Sequence, residues 1–213
     1  LTSSLSLSKK TKHQSRQPPI NTSLEIKELT AKYVEEILAF SAAHNIVGRN
    51  SSVDIFRFDV QDSETILEHT KDKAYILDIG SGAGLPGIII AINQPWTKVL
   101  MSEKNKKKAY FIKKTIKKLG LKNAEVIELA ITNKTTNLGP FDAITARALA
   151  GTKAIIEMSE QLLTTTGKFL LMKGKKEVIL EEVDGLDKAK YSYTIHTKKL
   201  TQAQRHILEI YKK

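Results

Sequence analysis

The stretch Tyr75-Ile-Leu-Asp-Ile-Gly-Ser-Gly-Ala-Gly-Leu-Pro-Gly87 constrains the fold more than any other part of the chain. A short apolar strand ends near an acid, Asp78. Four glycines follow within eight positions, from Gly80 to Gly87, and a helical run begins near Leu85. Glycine is needed where the backbone turns sharply or must come close to a ligand. A helix that starts straight after such a turn presents unpaired N–H groups and the positive end of its dipole. The pattern predicts a nucleotide or nucleoside site in an α/β fold. A tight turn with no ligand would hardly need four glycines and Pro86 at the helix start.

The flanking sequence fits that expectation. Apolar strands are predicted at 74–79, 98–101, 124–129, 143–145 and 168–172, with helices at 85–93, 105–119 and 151–163 between them. Such alternation argues for a parallel sheet covered on both faces. Two further strands, 191–197 and 207–211, are joined through 201–205, which is too short for a helical crossover; they read as an antiparallel pair at the sheet edge. Ahead of the sheet, Ser23 reads as an N-cap, and Ile26, Leu29, Tyr33, Ile37 and Phe40 follow at helical spacing. A second helix is expected over 53–69. The organisation is one domain over 23–213, with a helical layer at 23–70 and an α/β core at 74–213. Residues 1–22 carry no acid and two adjacent prolines, and read as a disordered basic tail.

Composition removes several chemistries. The chain has no cysteine among its 213 residues, which excludes disulfides, thiolate metal sites and a cysteine nucleophile. His44, His69 and His206 stand apart in sequence without metal-ligand spacing, so no metal is expected. No run approaches the roughly 18 apolar residues of a membrane helix. A cytoplasmic monomer is the default reading. The net charge is +11, from 34 Lys+Arg against 23 Asp+Glu, which suits an anionic partner such as RNA; a lysine-rich genome would give a similar excess.

Gly82-Ala-Gly-Leu-Pro-Gly87 matches G-x-G-x-x-G, and Glu103 stands where a ribose-binding acid is expected, so NAD and an oxidoreductase are one reading. Two features favour S-adenosylmethionine instead. Asp78 puts negative charge beside the loop, which suits a sulfonium and an ammonium better than a pyrophosphate. The antiparallel C-terminal edge is common in methyltransferase sheets.

The block Leu77-Asp-Ile-Gly-Ser-Gly-Ala-Gly-Leu-Pro-Gly-Ile88 resembles the cofactor loop of the bacterial small-subunit ribosomal RNA guanine-N7 methyltransferases, the glucose-inhibited division protein B family. Phe141-Asp-Ala-Ile-Thr-Ala-Arg-Ala-Leu-Ala150, Gly167–Gly174 and Glu103 with Lys108 and Phe111 are similar to further blocks of that family, in order, across roughly 24–212. The resemblance implies a class I, Rossmann-like methyltransferase sheet with S-adenosyl-L-methionine as cofactor. It implies 7-methylguanosine in small-subunit ribosomal RNA, free or in a ribosomal particle, as product. By the same resemblance Gly80, Gly82 and Leu85 line the cofactor loop, Glu103 holds the ribose, the backbone of Ala130 and Ile131 flanks the adenine, and Arg147 lies on the cofactor and RNA side. The chain departs from the family pattern at Leu129-Ala-Ile131, where Arg-Ala-Glu is usual, at Phe58-Asp59, where Arg-His is usual, and at Ala146, where Ser is typical. A catalytically silent RNA-binding relative is therefore a third reading.

Guanine N7 offers a lone pair and no proton, so in-line attack on a sulfonium methyl needs no general base, and positioning supplies most of the rate. No residue is accordingly assigned as catalytic. Arg147 is the best candidate for positioning substrate or cofactor; a strand-end ion pair is the alternative. The absence of cysteine and of an Asn/Asp-Pro-Pro-Tyr motif argues against pyrimidine C5 and exocyclic amines as acceptors. Residues 104–118 hold eight lysines around an apolar stripe of Ala109, Ile112, Ile116 and Leu119. Lys106, Lys113 and Lys117, with Lys173 after the fifth strand, are the candidate RNA contacts; a merely solvated face is the alternative.

Overall fold

A computed structural model describes residues 21–213, so most of the expected tail lies outside the described residues. Helix α1 (Ser23–His44) opens with a reciprocal cap one residue earlier than expected. Thr22 Oγ1 accepts from Glu25 N–H, and Glu25 Oε2 accepts from Thr22 N–H at 2.7 Å. Thr22 takes the cap because Glu25 then stands at the third helical position, where its carboxylate can return the bond. Asn21 is tied down as well, donating from Nδ2 to Ile92 O.

The single helix expected over 53–69 is broken. It runs as α2 (Ser52–Ile55), a π-helical turn (Phe56–Val60), α3 (Gln61–Glu64), a tight turn, and α4 (Leu67–Thr70). Side-chain hydroxyls compete with the helical ladder here: Ser63 donates to Asp59 O and Thr65 to Asp62 O. The π turn leaves Asp59 and Asp62 both pointing inward and buried.

The sheet comprises β1 (Tyr75–Ile79), β2 (Lys98–Ser102), β3 (Ala124–Ile127), β4 (Phe141–Arg147), β5 (Leu163–Lys173), β6 (Tyr191–Lys199) and β7 (Gln204–Lys212), in the order β3-β2-β1-β4-β5-β7-β6. The first five are parallel, and β7 runs antiparallel between β5 and β6. Helices α5 (Gly87–Asn93), α6 (Lys106–Leu119), α7 (Thr152–Ser159) and α8 (Lys176–Asp184) cover the faces. Helix α8 was not foreseen from the sequence.

Alternate residues of each strand feed two cores. Ile76, Val99, Met101, Ala143, Leu170 and Ile207 pack under α1, α5, α6 and the broken layer. Leu77, Leu100, Ile144, Phe169, Leu171 and Leu208 pack under α7 and α8. Each of these buried Val, Leu, Ile, Phe and Met side chains contributes about 1.5–3 kcal/mol. The two faces hold the strands so that their C-terminal ends, together with the start of β7, form one edge. The functional residues gather there.

Candidate active site

The glycine loop is built from within. The N–H groups of Gly80 and Ser81 donate to Ser102 O, those of Gly84 and Leu85 to Ser81 O, that of Gly82 to Glu103 Oε2 at 2.9 Å, and that of Gly87 to Asp78 Oδ2 at 3.1 Å. The loop amides are thus largely taken by protein oxygens. Helix α5 begins only at Gly87, later than expected, and its first N–H is occupied by Asp78. The helix N-terminus anticipated as a ligand-facing donor therefore serves the loop itself.

Asp78 lies behind the loop, fully buried, and does not line the cavity described below. It also accepts from Thr145 Oγ1 at 2.9 Å. Burial pushes its pKa up to about 6, against the hydrogen bonds that favour its charge. Its place beside a ligand is corrected accordingly: the carboxyl joins β1, β4 and α5, because its oxygens are aimed into the protein. Gly87 makes this packing feasible, since a Cβ there would fall 2.6 Å from Met101 Cγ and 3.0 Å from Asp78 Oδ2. From the helical layer, buried Tyr33 donates its hydroxyl to Ala83 O at 2.7 Å, bracing the loop from below.

A cavity of about 1060 Å³ opens in front of the loop. Its walls include Gly80, Gly82, Leu85, Arg147, Lys173 and His206. At Gly82 the backbone is left-handed, with φ +61°, and a Cβ would meet nothing nearer than Gly80 O at 3.9 Å. The bare backbone of Gly82 is therefore open to a ligand. Ala148, just beyond β4, also has a positive φ of 50°, and Leu149 closes over Gly80.

Glu103, Ala130 and Ile131 stand beside this cavity rather than in its walls. Glu103 folds back on the loop, spending one oxygen on Gly82 N–H and the other on Asn105 N–H. A carboxylate offers about four acceptor sites, so two remain. Ala130 is exposed, whereas the Ile131 side chain belongs to the core under β1 and β2.

Arg147 ends β4 and is committed to two buried acids. Its guanidinium donates to Asp59 Oδ1 at 3.1 Å and to Asp62 Oδ2 at 3.3 Å. Arg205 Nε donates to Asp62 Oδ1 at 2.6 Å, and Arg49 approaches Asp59 at 3.7 Å. The sequence reading missed Asp59, Asp62 and Arg205 as a set with Arg147, because they meet from three distant segments. Lys173 is similarly engaged, in a 2.6 Å pair with Glu182 of α8, and its side chain is largely buried.

Helix α6 begins at the same edge. Asn105 caps it, accepting from the N–H groups of Lys107 and Lys108. Its first turn carries lysines and no acid, which opposes the helix dipole and is unfavourable for the helix alone. Lys114 and Lys118 pair with Glu36 of α1, and the hydrogen bond from Lys118 is the main cause holding that carboxyl below its usual pKa. Lys106, Lys113 and Lys117 are exposed around Tyr110 and make no ion pair among the described residues.

Comparison with known proteins accords with this geometry. A protein of Brachyspira hyodysenteriae named ribosomal RNA small subunit methyltransferase G is 34% identical over 186 residues, covering 86% of this chain and 90% of that one. Its namesake in Helicobacter pylori is 35% identical over 148 residues, covering 70% and 82%. The fold is shared with cofactor-bound Rv0187 from MTB, at a TM-score of 0.64 and 16% identity over 84% of this chain and 89% of that one. It is shared too with a SAM-dependent methyltransferase from Aquifex aeolicus, at a TM-score of 0.56 and 15% identity over 74% and 92%. With a loop whose amides are spent on protein oxygens, a methyltransferase sheet, and a family model matching residues 26–208, the chain belongs to the GidB family, rRNA small subunit methyltransferase G.

Proposed function

We propose that the protein transfers a methyl group from S-adenosylmethionine to N7 of a guanosine in small-subunit ribosomal RNA. The observation that carries the cofactor assignment is the state of the glycine loop. Pyrophosphate recognition needs free N–H donors, whereas here the amides of Gly80, Ser81, Gly82, Gly84, Leu85 and Gly87 donate to protein oxygens, and Glu103 adds negative charge beside them. A cationic, phosphate-free ligand suits that surface and NAD does not.

The residues present fit the cofactor. Gly80, Gly82 and Leu85 offer bare backbone and an apolar wall, Glu103 keeps acceptor sites for ribose hydroxyls, and the backbone of Ala130 and Ile131 would flank the adenine. S-adenosylmethionine supplies an electrophilic methyl on its sulfonium. The chain's part is to hold the acceptor in line and exclude water, since N7 has no proton to remove. Arg147, neutralised by Asp59 and Asp62, positions the β4 end of the cavity. Lys106, Lys113 and Lys117 form the phosphate-contacting face, because exposed lysines that make no ion pair among the described residues suit an anion outside the chain. Lys173 acts mainly by clasping α8. We read residues 23–213 as one methyltransferase domain working on RNA in the cytoplasm.

Calorimetric titration with S-adenosylmethionine and, in parallel, NAD tests the cofactor; binding of NAD alone would overturn the reading. Incubation of the protein and cofactor with ribosomal particles lacking the modification, followed by borohydride and aniline scission, tests the acceptor. Cleavage at one small-subunit guanosine is expected. Cofactor binding without methyl transfer to either naked RNA or particles would favour the silent relative.

A further inference from the structure

We propose that His69, His196 and Glu209 form a binding site for a borderline divalent cation such as Zn²⁺, which clamps the N-terminal helical layer to the C-terminal hairpin. The three side chains come from α4, β6 and β7, and their ligand atoms all lie within 4.8 Å of one another. In a tetrahedral Zn²⁺ site with bonds of about 2.1 Å, neighbouring ligand atoms stand roughly 3.4 Å apart. Closing the set therefore needs side-chain adjustment of about an ångström. Two imidazoles and a carboxylate are the ligand class that zinc prefers over magnesium or calcium.

The surroundings support this use. The His69 and His196 rings lie 4.3 Å apart between centroids, an arrangement in which two protonated imidazoles would repel. His69 makes no side-chain hydrogen bond among the described residues, so its ring nitrogens are uncommitted. Glu209 accepts from His196 Nε2 at 2.7 Å and from Lys168. A cation entering here would take the Glu209 oxygen and His196 Nε2 from each other; the Nε2 proton of a neutral ring then moves to Nδ1, while a protonated ring releases one proton to solvent. Lys168 and Lys198 also face the group, with Glu68 as the further acid. The two lysines beside the single ligating carboxylate weaken the attraction for a cation relative to the same ligands without them. Although His69 stands apart in sequence, the docking of α4 brings its ring onto His196 of the hairpin.

The full chain, stripped with EDTA, is titrated with ZnCl₂ by calorimetry, with MgCl₂ as control, and Co²⁺ is followed by its visible absorption. One Zn²⁺ per chain is expected, with tetrahedral Co²⁺ bands and a melting temperature that rises in Zn²⁺. His69→Gln and His196→Gln should each weaken binding at least about tenfold and remove the thermal shift. Should His196→Gln fail to fold, His69→Gln decides, because it loses no hydrogen bond. Absence of saturable Zn²⁺ binding would overturn the proposal, and so would binding unchanged in His69→Gln, which would put the cation elsewhere.

Discussion

Three residues around the glycine loop respond differently to substitution because they act through different physics. Gly82→Val puts a β-branched side chain at φ +61° on the open face of the loop. Loss of measurable S-adenosylmethionine binding by calorimetry, in a protein that still folds by circular dichroism, is the expected result. Tyr33→Phe removes the hydroxyl that satisfies Ala83 O inside the core. Leaving that carbonyl unpaired should cost about 1–3 kcal/mol in urea denaturation and weaken cofactor binding as the loop loosens. Asp78 acts through pH. Its folded pKa is raised from 3.8 to about 6, so the folded state holds the proton more tightly than the unfolded chain. Stability is therefore lost as pH rises from about 4 to about 6, by roughly 3 kcal/mol from this group. Urea titrations across that window should show a steeper fall for the wild type than for Asp78→Asn, and equal slopes would remove Asp78 from the account.

At the level of elements, helix α6 separates its lysines by what they touch. Lys114 and Lys118 secure α1, while Lys106, Lys113 and Lys117 face solvent along the helix from its first turn to its last. Replacing the latter three by Gln should reduce the slope of log affinity against log salt for small-subunit RNA by about 2, at about 0.7 per phosphate contact on a single strand. Stability should change little, and a salt slope left unchanged would return these lysines to a solvated face. Asn105→Ala isolates the helix start instead; loss of its cap should cost about 1 kcal/mol. The broken helix after Asn45 carries a similar lesson. A straight helix over 53–69 satisfies the apolar spacing, yet Ser63 and Thr65 divert the backbone, and the π turn brings both Asp59 and Asp62 to Arg147.

Across the whole molecule, the Arg49–Asp59–Arg147–Asp62–Arg205 chain of charges ties the helical layer, the end of β4 and the start of β7 together at the mouth of the cavity. Asp62→Ala would leave Arg147 and Arg205 short of a counter-charge in a partly buried setting. A cost of about 2 kcal/mol is expected from denaturation, between the values for exposed and buried pairs. The parallel core, the antiparallel C-terminal pair and the glycine loop were legible in the sequence, because strand and helix periodicity and the glycine spacing are local properties of Tyr75–Gly87 and its neighbours. The lysine face of α6 was legible for the same reason. Pairings across distant segments were not. Nothing local in Asp59, Asp62 or Arg205 marks them as partners of Arg147, and nothing joins His69 to His196 until α4 docks on the hairpin. Asp78 reads as a ligand-facing acid in sequence and proves to be an internal brace, since the direction of its oxygens depends on Thr145 and Gly87 closing around it. The sequence by itself determined the sheet, the cofactor loop and the basic helix, whose signals repeat over short range. Only the tertiary structure decided which charges are spent inside the protein and which remain for a partner, because burial and pairing depend on segments that the chain brings together last.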